Sequence, residues 1–348
     1  MEQKQVAERL LPWYSAHRRD LPWRQDREPY HVWLSEIMLQ QTRVEAVKGY
    51  YARFLAALPD IAALAACGDD RLNKLWEGLG YYSRVRNLKK AAQVIMTQHG
   101  GVFPRDYAEV RALPGIGDYT AGAICSICFG MSTPAVDGNV LRVITRLTAS
   151  QESISKPQTK RAVTEALRAV YPEGRCGDFT QALMELGATV CIPNGAPNCA
   201  LCPLAPCCES REEELWRTIP VKDAKKPRKI EKKTVFLLRC GEHIALQKRG
   251  KTGLLAGLWE FPNADALPDA QAVLSQLSAW GCAPRELRKT VGKIHIFTHI
   301  EWDMDGYYVD CNAMPQIFTW CTEAEISKEC SLPTAFRQFF ERGVKTWD

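Results

Sequence analysis

Between Leu113 and Val143 the chain reads Leu-Pro-Gly-Ile-Gly-Asp-Tyr-Thr-Ala-Gly-Ala-Ile-Cys-Ser, and then, from Pro134, Pro-Ala-Val-Asp-Gly-Asn-Val-Leu-Arg-Val. No other stretch restricts the fold as much. It predicts a helix over Tyr107–Leu113 that Pro114 stops, a glycine turn, a second helix, and a carboxylate, Asp137, at the start of a third. Gly115 and Gly117 permit backbone angles that side chains resist. They leave the N–H groups of Gly115 to Asp118 bare at a helix N-terminus, a place that binds an anion such as a nucleic-acid phosphate. Leu-Pro-Gly alone is a common helix stop and Asp-Gly-Asn alone an ordinary helix cap. The weight lies in their combination.

Helical periodicity continues on both sides, over residues 3–19, 29–56, Asp60–Ala66, Asp69–Gly78, Arg84–His99, Lys156–Tyr171 and Asp178–Val190. The character changes near Ile219-Pro220. Residues 221–233 are basic and weakly hydrophobic, a linker. Strand signals follow at Thr234–Arg239, His243–Lys248 and Lys293–Met304, with helices over Leu267–Trp280 and Pro333–Arg342. The expected organisation is a helical domain over 1–220 with its hairpin at about 107–127, a basic linker, and an α+β domain over 234–348.

A chain of 348 residues gives each domain enough material for its own core. A net charge of +5 is compatible with a DNA partner without arguing for one. No apolar run reaches membrane-spanning length, and the first residues lack the apolar core of a signal peptide, so no membrane partner is expected. Of the 14 cysteines, five crowd between Cys191 and Cys208. Without an export signal the crowd reads as a metal site rather than as disulfides. The spacing Cys191-x7-Cys199-x2-Cys202-x5-Cys208, with no histidine among the four, suits a [4Fe–4S] cluster or a structural zinc, with Cys207 as a rival fourth ligand.

The run Trp33-Leu-Ser-Glu-Ile-Met-Leu-Gln-Gln-Thr-Arg43 sets one acid, Glu36, inside an apolar helix face. A carboxyl sheltered there acquires a raised pKa and can hold a proton near neutrality, as a general acid must. The bland alternative is a solvated helix glutamate.

The Glu36 run is similar, almost residue for residue, to the sequence around the catalytic Glu of the MutY family of adenine DNA glycosylases. The hairpin and the Asp about twenty residues later resemble the same enzymes and their endonuclease III-like relatives. The cysteine set matches, with seven residues in its first gap where the family has six. Thr252-Gly-Leu-Leu-Ala-Gly-Leu-Trp-Glu-Phe-Pro262 resembles the family's Nudix-like C-terminal domain, and Phe297-Thr298-His299 stands where the family has Phe-Ser-His.

The resemblance implies a helix-hairpin-helix glycosylase domain with an iron–sulfur loop at 191–208, followed by a Nudix-like domain that reads 8-oxoguanine. It assigns Glu36 to protonating adenine, Asp137 to steadying the cationic sugar, and Asn139 and Tyr119 to orienting the reacting groups. Tyr119 stands where the strand-nicking relatives carry a lysine, so a monofunctional enzyme is implied. Trp23, Arg24, Gln41, Thr42, Tyr81, Gly115, Gly117, Phe297, Thr298 and His299 fall on DNA-contacting positions. Cys191, Cys199, Cys202 and Cys208 would hold the [4Fe–4S] cluster. The implied partner is double-stranded DNA with adenine opposite 8-oxoguanine or guanine, bound by a monomer in a bacterial cytoplasm. The Arg-Glu-x-x-Glu-Glu helix of a Nudix hydrolase does not follow Gly257. Two other readings are a bifunctional glycosylase/lyase and a non-catalytic iron–sulfur DNA-binding protein. Tyr119 speaks against the first and the pair Glu36 and Asp137 against the second.

Overall fold

The computed structural model describes residues 4–224, 226–289 and 292–346. They divide into two units: residues 1–66 with 86–224, and residues 67–85 with 225–348.

The helices of the first part run α1 (Lys4–His17), α2 (Pro29–Leu39), α3 (Val44–Ala57), α4 (Ile61–Ala66), α5 (Asp69–Leu75), α6 (Ser83–Gln98), α7 (Tyr107–Ala112), α8 (Asp118–Phe129), α9 (Gly138–Leu147), α10 (Pro157–Arg168) and α11 (Cys176–Thr189). The continuous helix expected over 29–56 is two, because Gln41 sits in the left-handed region with φ 57° and turns the chain. The apolar period runs on through Gln-Gln-Thr-Arg, so the break carries no sequence cue. In the first unit α1, α9, α10 and α11 share a core of Leu10, Tyr14, Val140, Ile144, Phe179 and Leu183, against which Cys191, Cys202 and Cys208 pack.

Residues 67–85 looked like one more piece of the helical domain, yet they pack with the second unit. Lys74 Nζ donates to the Cys330 carbonyl at 3.1 Å and the Leu332 N–H to Glu77 Oε1 at 2.9 Å. An apolar helix stripe says that a helix is buried, not against what.

The second unit is built on a mixed sheet of β1 (Lys229–Cys240), β2 (His243–Lys248), β3 (Trp259–Glu260), β4 (Asn263–Asp265), β5 (Pro284–Lys289), β6 (Lys293–Ile296), β7 (Ile300–Cys311) and β8 (Thr319–Thr322). Its helices are α12 (Ala270–Ala279), α13 (Glu323–Glu329) and α14 (Thr334–Thr346). Strand β1 lies parallel to β7 from Lys229 opposite Ile300 to Arg239 opposite Asp310. The strand therefore starts inside the stretch expected to be linker. Its lysines stay in water, paired with Glu231 and Asp265 at 2.9 Å each, while the backbone joins the ladder. Alternate β1 residues face opposite cores: Val235 and Leu237 meet Phe336 and Phe339 of α14, and Phe236 and Leu238 meet Val273 and Leu277 of α12. The single strand expected over Lys293–Met304 is a hairpin, β6 and β7, turning at residues 297–299. A three-residue turn preserves the alternation, so periodicity alone passes over it.

Candidate active site

Helices α2, α8, α9 and α11, with the short turn Pro22–Arg24, wall a cavity of about 590 Å³ in the first unit. Glu36, Tyr119, Asp137, Asn139, Trp23, Arg24, Gln41 and Thr42 all line it. Two acids about a hundred residues apart in sequence are thus brought to one chamber.

Glu36 is 6% exposed, and the Tyr119 hydroxyl donates to its Oε2. Burial, reinforced by the Asp137 charge, raises its carboxyl to about 7, although the Tyr119 bond and Arg24 both favour the ionised form. Near neutral pH this side chain is therefore partly protonated. Asp137 caps α9: its Oδ1 accepts from the Val140 N–H at 2.7 Å and its Oδ2 from Asn139 Nδ2 at 2.8 Å. Burial lifts its pKa, while these donors and Arg142 pull the other way. Its two oxygens are held by fixed donors, so the carboxylate is pre-positioned.

Asn139 is itself oriented. Arg142, 6% exposed, donates through Nη2 to Asn139 Oδ1 and to the Gly187 carbonyl, and through Nε to the Cys191 carbonyl, each at 2.8 Å. This close approach requires a glycine at 187, where a Cβ would lie 2.7 Å from that of Asn139. One buried guanidinium therefore links the Asp137 cap to the start of the cysteine loop.

The same cavity carries a residue that the sequence reasoning passed over. Glu185 of α11 is fully buried and accepts from Arg19 Nε at 2.7 Å, Arg19 Nη2 at 2.9 Å and Arg24 Nη2 at 2.8 Å. Burial alone would raise its carboxyl, but the two guanidinium groups override it and hold it at about 2. Glu185 thereby fixes Arg24 in the cavity wall beside Trp23, whose ring meets Tyr51 edge to face at 5.5 Å.

The hairpin is α7, the turn at 113–117 and α8. Gly115 has φ 78°, and a Cβ there would lie 2.5 Å from Asn87 Cβ, so only glycine fits. Gly117 caps α8 in an extended conformation. The Ile116 N–H is taken by the Leu113 carbonyl at 3.1 Å.

A chain with this hairpin and this cavity can be set beside known proteins. Residues 34–169 match the model of the HhH-GPD superfamily of base excision DNA repair proteins, and residues 234–342 match that of the NUDIX domain. The adenine DNA glycosylase of Homo sapiens is 34% identical over 95% of this chain and 72% of its own length. That of Buchnera aphidicola from Baizongia pistaciae is 37% identical over 73% of this chain and 72% of its own length. The chain belongs to the adenine DNA glycosylase family. Among solved structures, a thermostable thymine-DNA glycosylase superposes with a TM-score of 0.56 at 29% identity, covering 61% of this chain and 97% of that one. A trapped endonuclease III–DNA intermediate shares the fold at a TM-score of 0.52 and 22% identity, over 62% of this chain and 99% of that one. This member of the family is accordingly a DNA glycosylase, a helix-hairpin-helix enzyme with a Nudix-like C-terminal domain.

In this glycosylase Cys191, Cys199, Cys202 and Cys208 are all free and half-buried. Burial, and then the nearness of Cys191, Cys208 and Cys199, pushes the Cys202 thiol up to about 12. Burial raises Cys199 and Cys208 as well, and for each the neighbouring thiols add to it. Such a quartet ionises together only around a compensating polycation. Arg146, 4% exposed, already places Nη1 3.4 Å from Cys191 Sγ while bonding the carbonyls of Ile192, Trp216 and Ile219. Cys207 Sγ donates to the Leu204 carbonyl at 3.3 Å and Cys208 Sγ to the Arg146 carbonyl at 3.6 Å. No three His, Cys, Asp or Glu side chains among the described residues converge on a single-ion site. A four-iron cube takes one thiolate at each corner and does not ask its ligands to converge on a point. The donor set fits such a group.

The remaining predicted positions lie in the second unit. Tyr81, with φ 46° and 48% exposed, places its hydroxyl 3.2 Å from Thr298 Oγ1. Thr298 and His299 are exposed at the β6–β7 turn. The Phe297 ring packs edge to face with His295 at 4.6 Å and Trp302 at 4.9 Å, anchoring the turn. Tyr82, next to Tyr81, is 6% exposed and packs in the core.

Proposed function

We propose that this glycosylase removes adenine mispaired with 8-oxoguanine, and more weakly adenine opposite guanine, leaving an abasic site without nicking the strand. One observation carries the reading. A carboxyl poised at about 7 and a donor-fixed carboxylate wall the same cavity, which has the volume for one extruded nucleotide. Glu36 gives its proton to the purine, at N7 in the family's mechanism, so that adenine leaves neutral. Asp137 steadies the oxocarbenium-like sugar, in the family by a transient bond to C1′, and water completes the exchange at C1′ and returns a proton. Asn139 keeps Asp137 aligned. Tyr119 offers a phenol where a nicking enzyme needs an amine. Trp23 and Arg24 fit the base pocket, Gln41 and Thr42 its rim, and Gly115 and Gly117 a phosphate.

Cys191, Cys199, Cys202 and Cys208 would hold a [4Fe–4S] cluster, which when bound orders the loop and its basic residues. Thr298, at an exposed turn held by Phe297 and touching Tyr81, would read the opposing base, with His299 beside it.

The test is a glycosylase assay on duplexes that pair adenine with 8-oxoguanine, guanine, cytosine and thymine, read with and without alkali. Adenine release from the first two, with strand breaks only after alkali, is expected. Breaks without alkali overturn the monofunctional reading, and equal release from all four overturns the specificity.

A further inference from the structure

Ser210 lies two residues past Cys208 and is 1% exposed. Its N–H bonds toward the Cys208 sulfur, and its carbonyl accepts from the Leu215 N–H at 3.1 Å. Its hydroxyl is buried too, and among the described residues Oγ has no hydrogen-bond partner. An unmet buried hydroxyl is costly, and native chains keep one where something outside the polypeptide completes it. The neighbouring polar chemistry here is the thiol quartet. Its Cys191 corner has a donor in Arg146, whose Nε and both Nη groups also bond fixed carbonyls. Beside Cys208, whose sulfur the Ser210 N–H meets, the buried Ser210 hydroxyl is the donor without a partner among the described residues.

We propose that Ser210 donates its hydroxyl hydrogen to the iron–sulfur cluster at the Cys208 corner and raises the cluster's reduction potential. The inference rests on the cluster reading above. Reduction adds negative charge to the cluster sulfurs, and a donor aimed at them stabilises that state. Asymmetry follows as well: one corner is served by a guanidinium, the other by a neutral hydroxyl, so the two ends of the quartet respond differently to substitution. Removing the hydroxyl weakens the reduced form without taking away a ligand. An internal water completing Ser210 is the competing account. It predicts no change in the cluster's electronic properties.

The experiment uses the full chain as purified with iron. Iron and sulfide content, the midpoint potential by film voltammetry, and the Fe–S stretching bands by resonance Raman are compared for the native protein, Ser210→Ala and Ser210→Thr. A more negative potential and shifted Fe–S bands in Ser210→Ala, with Ser210→Thr at the native values, are expected. An iron-loaded Ser210→Ala with native potential and bands overturns the proposal. If Ser210→Ala fails to hold iron, retention becomes the readout: recovery in Ser210→Thr supports the hydroxyl's role, and loss in both variants overturns it. Native protein without iron removes the cluster reading itself, so the two failures are distinct.

Discussion

Two walls of one cavity treat the same functional group in opposite ways. On the α2 side Glu36 is buried beside a phenol and its carboxyl stands at about 7. On the α11 side Glu185, also out of solvent, stands at about 2. Burial pushes both upward. What separates them is the partner: a neutral donor offers Glu36 one hydrogen bond, whereas two guanidinium groups surround Glu185 with charge-assisted ones. The cavity wall thus holds one carboxyl that carries a proton up to about neutral pH and another that stays ionised and ties down Arg19 and Arg24. Glu185 also spends its charge on Arg24, whose field then reaches Glu36 only in part.

The largest effect should come from taking away the proton. Glu36→Gln is expected to bind an A:8-oxoguanine duplex with near-native affinity while adenine release under single-turnover conditions falls by about 10²–10⁴-fold, the range for a general acid. Next is Glu185→Gln. It leaves two cations facing a neutral amide, and urea unfolding should show a loss of about 3–5 kcal/mol, the usual result of breaking a buried ion pair from one side. The uncompensated Arg24 should also lower the Glu36 pKa, moving the alkaline limb of the activity profile toward acid. A destabilised variant with an unmoved limb would break the link between the two walls.

How much of this was legible beforehand depended on the kind of signal. Glu36 and Asp137 stood out because each is a polar residue where its local pattern asks for something else, an acid on an apolar face and a cap after a Pro-Ala-Val run. Glu185, in Ala-Leu-Met-Glu-Leu-Gly, carries the same signal as Glu36. It was missed because the pattern marks a buried acid without naming the arginines that neutralise it, and Arg19 comes from 166 residues away. The helix boundaries were readable wherever Pro or Gly set them, and unreadable at Gln41, where a non-glycine residue makes the left-handed turn. The early start of β1 was hidden by its lysines, since a strand paired through its backbone need not be apolar. Phe297 matched a DNA-contacting position by motif. Its role as an anchor depends on His295 and Trp302, which only the hairpin brings to it.

The opposed pKa shifts also give opposed stability slopes. Glu36 is raised from 4.5 to about 7 in the folded chain. The folded state then holds a proton that the unfolded chain releases across that interval, so stability is full below pH 4.5 and declines by about 3 kcal/mol as pH approaches 7. Glu185 is lowered from 4.5 to about 2, so its contribution is present above pH 4.5 and is lost as pH falls toward 2. Urea midpoints of Glu36→Gln and the native protein should therefore coincide near pH 4.5 and separate by pH 8, the variant being the more stable there. A constant difference across that range would mean that Glu36 ionises normally.

The smallest effect is expected from Tyr119→Phe, and it is the most discriminating. The phenol donates to Glu36 and so favours its charged form; deleting it should raise the Glu36 pKa further. Release of adenine at pH 6, where Glu36 is already protonated, should fall by less than about tenfold, the scale of one net hydrogen bond. The alkaline limb should meanwhile move upward, so that the deficit narrows or reverses by pH 8. Glu185→Gln moves the same limb downward through Arg24. Opposite displacements from two substitutions lining the same cavity would show that the proton on Glu36 is set by a balance between them. A downward shift in Tyr119→Phe would instead mean that the hydroxyl stabilises the acid form and, together with burial, holds the proton in place.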